Sequence, residues 1–151
     1  MTIISRRTVL LASAVALAPR AAFAAPSRVT VHKDPGCGCC NGWVDHLRAN
    51  GFAVKTINTK TLDAVKARLG VPKELAACHT AEISPYVVEG HVPALAIKKL
   101  LADKPHATGL AVPGMPQGSP GMGGTPEEYD VILFGKTERR VFGRYKADKA
   151  V

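Results

Sequence analysis

The sequence predicts an α/β domain, a small mixed sheet flanked by helices, and three observations carry that prediction. Short alternating runs rich in β-branched residues take turns with apolar stripes of helical spacing. Glycine or proline punctuates the junctions between them. The chain then closes on two further alternating runs joined by a polar turn.

Arg28-Val29-Thr30-Val31-His32-Lys33 is the first strand, and Asp34-Pro35-Gly36 breaks it. A cysteine cluster follows. Asn41 to Asn50 is the first helix, with Trp43, Val44 and Leu47 on its buried face and Gly51 at the position of a C-terminal cap. Phe52 to Ile57 alternates as a second strand. Leu62 to Leu69 is a second helix, with Leu62, Val65 and Leu69 on one stripe and Gly70 and Pro72 to close it. Lys73 to Cys78 reads as a short helical turn, and Glu82 to Val88 as a short strand or loop interrupted by Pro85. Pro93 to Ala102 is a third helix with proline as its first residue. A long Gly/Pro-rich loop spans Val112 to Pro126. Tyr129 to Phe134 and Val141 to Tyr145 form the closing hairpin, turning around Lys136–Arg139. The order β-α-β-α-(α)-β-β is a thioredoxin-like layout. The cysteine cluster falls between its first strand and first helix, where thioredoxins keep their active site.

Residues 1–24 read as an address. Ser5-Arg6-Arg7-Thr8-Val9-Leu10-Leu11 is a twin-arginine motif, and the uncharged run Leu10 to Ala18 is too short for a permanent membrane span. Ala22-Phe23-Ala24 supplies a small-x-small cleavage pattern, and Arg20 just before it suits the twin-arginine route. The competing reading is an uncleaved anchor. Cleavage after Ala24 leaves residues 25–151, 127 residues, enough for one domain, soluble in a bacterial periplasm. Without Arg6, Arg7 and Arg20, 17 of the 20 basic residues remain against 12 acidic ones, a net charge of +5. These charges are scattered, and aromatic residues make up only 5% of the chain, so a nucleic-acid surface with stacking aromatics is excluded.

Three of the four cysteines stand in Cys37-Gly38-Cys39-Cys40. A core uses cysteine singly, as a small hydrophobe, so packing does not explain this run. Thiols held this close bind a soft metal or exchange electrons through a disulfide. Two structural disulfides fit poorly, because Cys39–Cys40 and Cys37–Cys39 bridges both close tight rings. The N-terminus of the following helix favours thiolate, most of all at Cys40 and Cys39, and thiolate serves both chemistries. Cys78 is the fourth thiol, with His79 beside it. Pro113-Gly114-Met115 and Pro120-Gly121-Met122 echo each other within the long loop, which reads as a lid over the cysteine site. Thioethers suit Cu(I) far better than Zn(II). His32, His46, His91 and His106 are lesser candidates.

The residues leave four functions open. Cu(I) binding uses the Cys and Met ligands together. A thiol–disulfide oxidoreductase uses Cys37 and Cys40 as a C-x-x-C pair but leaves Cys39, Cys78 and the methionines idle. A structural zinc site wants two separated ligand pairs, and three ligands crowded into four positions begin it badly. An iron–sulfur cluster also takes four thiolates.

Val31 to Trp43 with its Cys-Gly-Cys-Cys core, Gly70-Val71-Pro72, Cys78-His79-Thr80, Tyr86 to Pro93, and Gly109 to Met122 resemble the CopG-type periplasmic copper-resistance proteins, a family long catalogued as a domain of unknown function. The resemblance covers nearly all of residues 25–151. It implies a thioredoxin-like domain that binds several copper ions and cycles them between Cu(I) and Cu(II), a copper-dependent oxidoreductase activity. It carries over Cys37, Cys39, Cys40 and Cys78 as site thiols, with His79, Met115 and Met122 as further ligands. Other periplasmic copper carriers or exporters are the partners this reading allows. No stable membrane anchor is expected, and the chain is taken as a monomer.

Overall fold

Eight strands form one mixed sheet in the computed structural model, which describes residues 25–151. The predicted export signal, residues 1–24, lies outside the described residues. The strands are β1 (Arg28–Lys33), β2 (Ala53–Asn58), β3 (His79–Ile83), β4 (Tyr86–Glu89), β5 (Gly109–Ala111), β6 (Glu128–Phe134), β7 (Arg139–Lys146) and β8 (Lys149–Ala150). The helices are α1 (Gly38–Ala49), α2 (Leu62–Arg68) and α3 (Ala94–Asp103), with a 3-10 turn at Lys73–Leu75. The spatial order is β2-β1-β3-β4-β5-β6-β7-β8, and only β1–β2 and β4–β5 pair in parallel. No described helix is long and apolar enough to cross a membrane.

Strand alternation divides the core between the two faces of the sheet. Val29, Val31, Ala81, Ile83 and Val88 point to one face and pack with Trp43, Val44 and Leu47 of α1 and with Ala96, Ile97 and Leu100 of α3. Val87, Ala111 and Phe134 point to the other and pack with Leu75 of the 3-10 turn and Val71. Helix α2 covers that second face beside β3 and β1.

Four expectations are corrected. The sheet is larger than the small sheet expected, because Glu82–Val88 is the corner of a hairpin and not one interrupted strand, and because the short strands β5 and β8 extend it. Ile83 pairs with Tyr86, so Ser84 and Pro85 make the turn, where a missing N–H breaks no ladder bond. The 3-10 turn stops at Leu75, and β3 begins at His79, just past the expected end of the turn at Cys78. Helix α1 begins at Gly38, so Cys39 and Cys40 lie inside its first turn. Asp34 explains the early start. Its side chain accepts the N–H of Gly36 at 2.7 Å and its carbonyl accepts that of Cys37 at 3.1 Å, which turns the chain before the cysteines. Pro93 caps α3 and is not its first residue. β5 was missed as a strand because three residues are too few to show a period.

Candidate metal centre

The first turn of α1 and the start of β3 bring all four cysteines together. The sulfurs of Cys37, Cys39, Cys40 and Cys78 lie within 4.8 Å of one another. Cys37 caps the helix in an extended conformation, and Cys40 is fully buried one turn on. Cys37 and Cys40 are joined as a disulfide, while Cys39 and Cys78 are free thiols. Cys39 Sγ stands 3.5 Å from Cys37 Sγ.

Cys78 also belongs to a second group, with ligand atoms of His79 and His91 within 4.8 Å of it and of each other. His91 Nδ1 is 2.7 Å from the carbonyl oxygen of Pro120. A carbonyl only accepts, so Nδ1 carries the proton and Nε2 presents its lone pair to Cys78 Sγ, 3.0 Å away. Metal-ligating histidines are oriented in this way. His79 is fully buried between the rings of Trp43 and His91, with Nδ1 3.3 Å from Cys78 Sγ. Its Nε2 is the one buried side-chain nitrogen or oxygen without a hydrogen-bond partner among the described residues. Such an atom is costly unless something binds it, and a metal ion or the Gly90 carbonyl beside the ring can do so.

Electrostatics keep this corner neutral. Burial holds the His79 imidazole well below the usual histidine range, and the nearby His91 and Lys66 push it the same way. Burial also lowers His91, against the opposing effect of the Pro120 carbonyl. Neutral imidazole is the form that ligates metals. The Cys78 thiol is pushed up to about 12 by burial and by neighbouring Cys39. It stays protonated until a cation displaces the proton, which reverses that balance. The residues present therefore fit a soft metal ion: thiols for ligands, two neutral imidazoles, and one nitrogen without a hydrogen-bond partner.

The long loop is seated on α1 by a glycine-to-glycine contact. Gly121 has φ +86°, and a Cβ there would lie 2.6 Å from the carbonyl oxygen of Cys39; one on Gly42 would lie 2.9 Å from Gly121 Cα. Only glycine at both positions lets the two backbones meet. The loop thus covers the first turn of α1 and reaches His91 through Pro120. Met122 follows Gly121 and is half-buried, whereas Met115 is 43% exposed. The remaining histidines have other surroundings. His32 bonds Glu82 at 2.8 Å, His46 Nε2 accepts the N–H of Ala94 at the start of α3, and His106 is exposed.

His91 was the lesser candidate that the structure moves into the cluster. It sits in an uninterrupted buried stretch, Tyr86 to Ala94, and that burial is visible only in the fold. Trp43 does more than fill the core, since its Nε1 donates to the carbonyl of Val92 at 2.8 Å and ties α1 to the His91 segment.

Three comparisons bear on this geometry. A family model described as "Protein of unknown function, DUF411" matches residues 75–122, which hold Cys78, His79, His91 and both loop methionines. No curated protein matches the chain. Two solved structures, described as copper resistance protein copG, form 1 and form 2, match at 45% identity. Each match covers 80% of this chain and 98% of the other, with TM-scores of 0.74 and 0.75.

Proposed function

This chain belongs to the family of the copper resistance protein CopG, and we propose that it is a periplasmic copper-binding protein of copper resistance and homeostasis. The observation that carries the proposal is the meeting of four cysteine sulfurs within 4.8 Å, with two neutral, buried imidazoles at Cys78. Cys37, Cys39, Cys40 and Cys78 would hold the metal with His79 and His91, and Met115 and Met122 would serve from the loop. Bound copper supplies a soft, one-electron redox centre; thiolate and thioether ligands favour the Cu(I) state, and bridging thiolates suit more than one ion. Cys37 and Cys40 ligate only after their disulfide is reduced by two electrons. Transfer partners would be other periplasmic copper carriers or exporters.

The β1-α1-β2 unit followed by β3-β4-α3, with strand order β2-β1-β3-β4, supports a thioredoxin-like reading of this half of the fold. A second function rests on the Cys37–Cys40 disulfide itself, a C-x-x-C pair at a helix N-terminus. That is the site of a thiol–disulfide oxidoreductase.

An anaerobic Cu(I) titration of the reduced protein against a competing chelator separates the two. The copper reading expects two or more ions per chain, lost in Cys39→Ser/Cys40→Ser. One ion or none, with rapid reduction of a test disulfide such as insulin, moves the protein to the oxidoreductase reading.

A further inference from the structure

A second buried polar group lies across the sheet from Trp43. Thr80 and Glu89 stand opposite each other in the β3–β4 register, so their side chains share the face covered by α2. Lys66 reaches them from that helix. Its Nζ donates to Thr80 Oγ1 at 2.9 Å and pairs with Glu89 Oε1. The Thr80 hydroxyl donates to Glu89 Oε2 at 2.7 Å. Glu89 is fully buried and Lys66 is 7% exposed.

An apolar pair of similar volume commonly packs in place of a buried ion pair without loss of stability. A buried ion pair is thus weak evidence of a stabilising role, and its fourth contact points to another. Glu89 Oε1 also accepts the N–H of Ala77 at 2.6 Å. Ala77 precedes Cys78 and lies outside β3, where the sheet ladder does not hold it. Resting on the copper reading above, we propose that Lys66, Glu89 and Thr80 form a positioning tripod for Cys78. The carboxylate fixes the backbone entering Cys78, so that its sulfur stays within reach of Cys39 and of His91 Nε2. Lys66 and Thr80 fix the carboxylate. The tripod touches neither metal nor thiol and acts only through the Ala77 amide, as outer contacts of metal sites do.

The test uses the full chain with Lys66→Met/Glu89→Leu, which removes both charges together, and Thr80→Val, a milder variant that keeps the ion pair. Both are combined with Cys78→Ser. Chelator competition should show Cu(I) bound about 10–100-fold more weakly in the double variant. That loss should largely vanish in the Cys78→Ser background, because the tripod acts through Cys78. In the metal-free protein, alkylation at fixed pH, read by mass spectrometry, should rise at Cys78 relative to Cys39 in both variants. Wild-type copper affinity in the double variant, full additivity with Cys78→Ser, or an unchanged alkylation ratio would each overturn the positioning role. If the wild-type chain takes up no copper, the copper reading falls on its own, and the alkylation ratio alone decides the tripod.

Discussion

The Cys37–Cys40 turn and the Cys78–His79–His91 corner meet at one site but reach it by different routes. The turn is local: three thiols in four residues, gathered by an Asp34 turn and the first turn of α1, with Cys37 and Cys39 partly open to solvent. The corner is assembled from afar. Cys78 precedes β3 and His79 opens it, His91 follows β4, and the Pro120 carbonyl orients His91 from the loop. The turn holds the Cys37–Cys40 disulfide. The corner is pre-organised, buried and neutral, with its imidazoles held in the ligating form. The disulfide lies wholly within the turn, so opening it breaks no bond of the corner.

The largest expected effect separates the halves outright. Cys39→Ser/Cys40→Ser should abolish copper uptake, whereas His91→Phe should leave binding measurable but at least about tenfold weaker, by chelator competition. Equal losses would mean that the corner is as essential as the turn.

A smaller effect tests the loop that joins them. Gly121→Val places a β-branched residue at φ +86° against the Cys39 carbonyl. It should cost about 2–4 kcal/mol in urea denaturation, from backbone strain and overpacking combined. A loss below about 0.5 kcal/mol, the range of an ordinary surface substitution, would show that the loop does not rest on α1.

The smallest effect is a pH dependence of the metal-free protein. Burial lowers His46, which accepts the Ala94 N–H, and it lowers His79 and His91 as well. A histidine whose folded value is depressed contributes stability above its unfolded value of 6.5, and that stability is lost as pH falls toward the folded value. Denaturation midpoints should be flat above about pH 7 and fall below about pH 6. His46→Gln should remove only part of that slope, because the two corner histidines remain. A midpoint that rises on acidification would contradict the neutral corner.

Much of this was legible before the fold was known. The strands at Arg28 and Tyr129, the three helices and the loop follow from periodicity and breakers, which are local properties. What was misread also has local causes. Pro85 looked like an interruption because its role depends on Ile83 and Tyr86 pairing across it. The start of α1 was placed late because three cysteines signal chemistry more strongly than they signal helix. His91 could not be raised above His32, His46 and His106 from sequence, since each is one imidazole beside a strand or helix. Their different surroundings arise from distant neighbours, 50 residues away for His32 and Glu82, 48 for His46 and Ala94, and 29 for His91 and Pro120.

By itself, then, the amino-acid order determined the thiol turn: residues three apart are close whatever the rest of the chain does, and glycine with an aspartate turn closes the distance. Only the tertiary structure decided which distant groups complete the site. The β3–β4 register opposes Thr80 to Glu89, the Gly42–Gly121 contact brings the Pro120 carbonyl to His91, and burial makes two histidines neutral. Those are consequences of long-range packing and desolvation, and no short stretch of sequence encodes either.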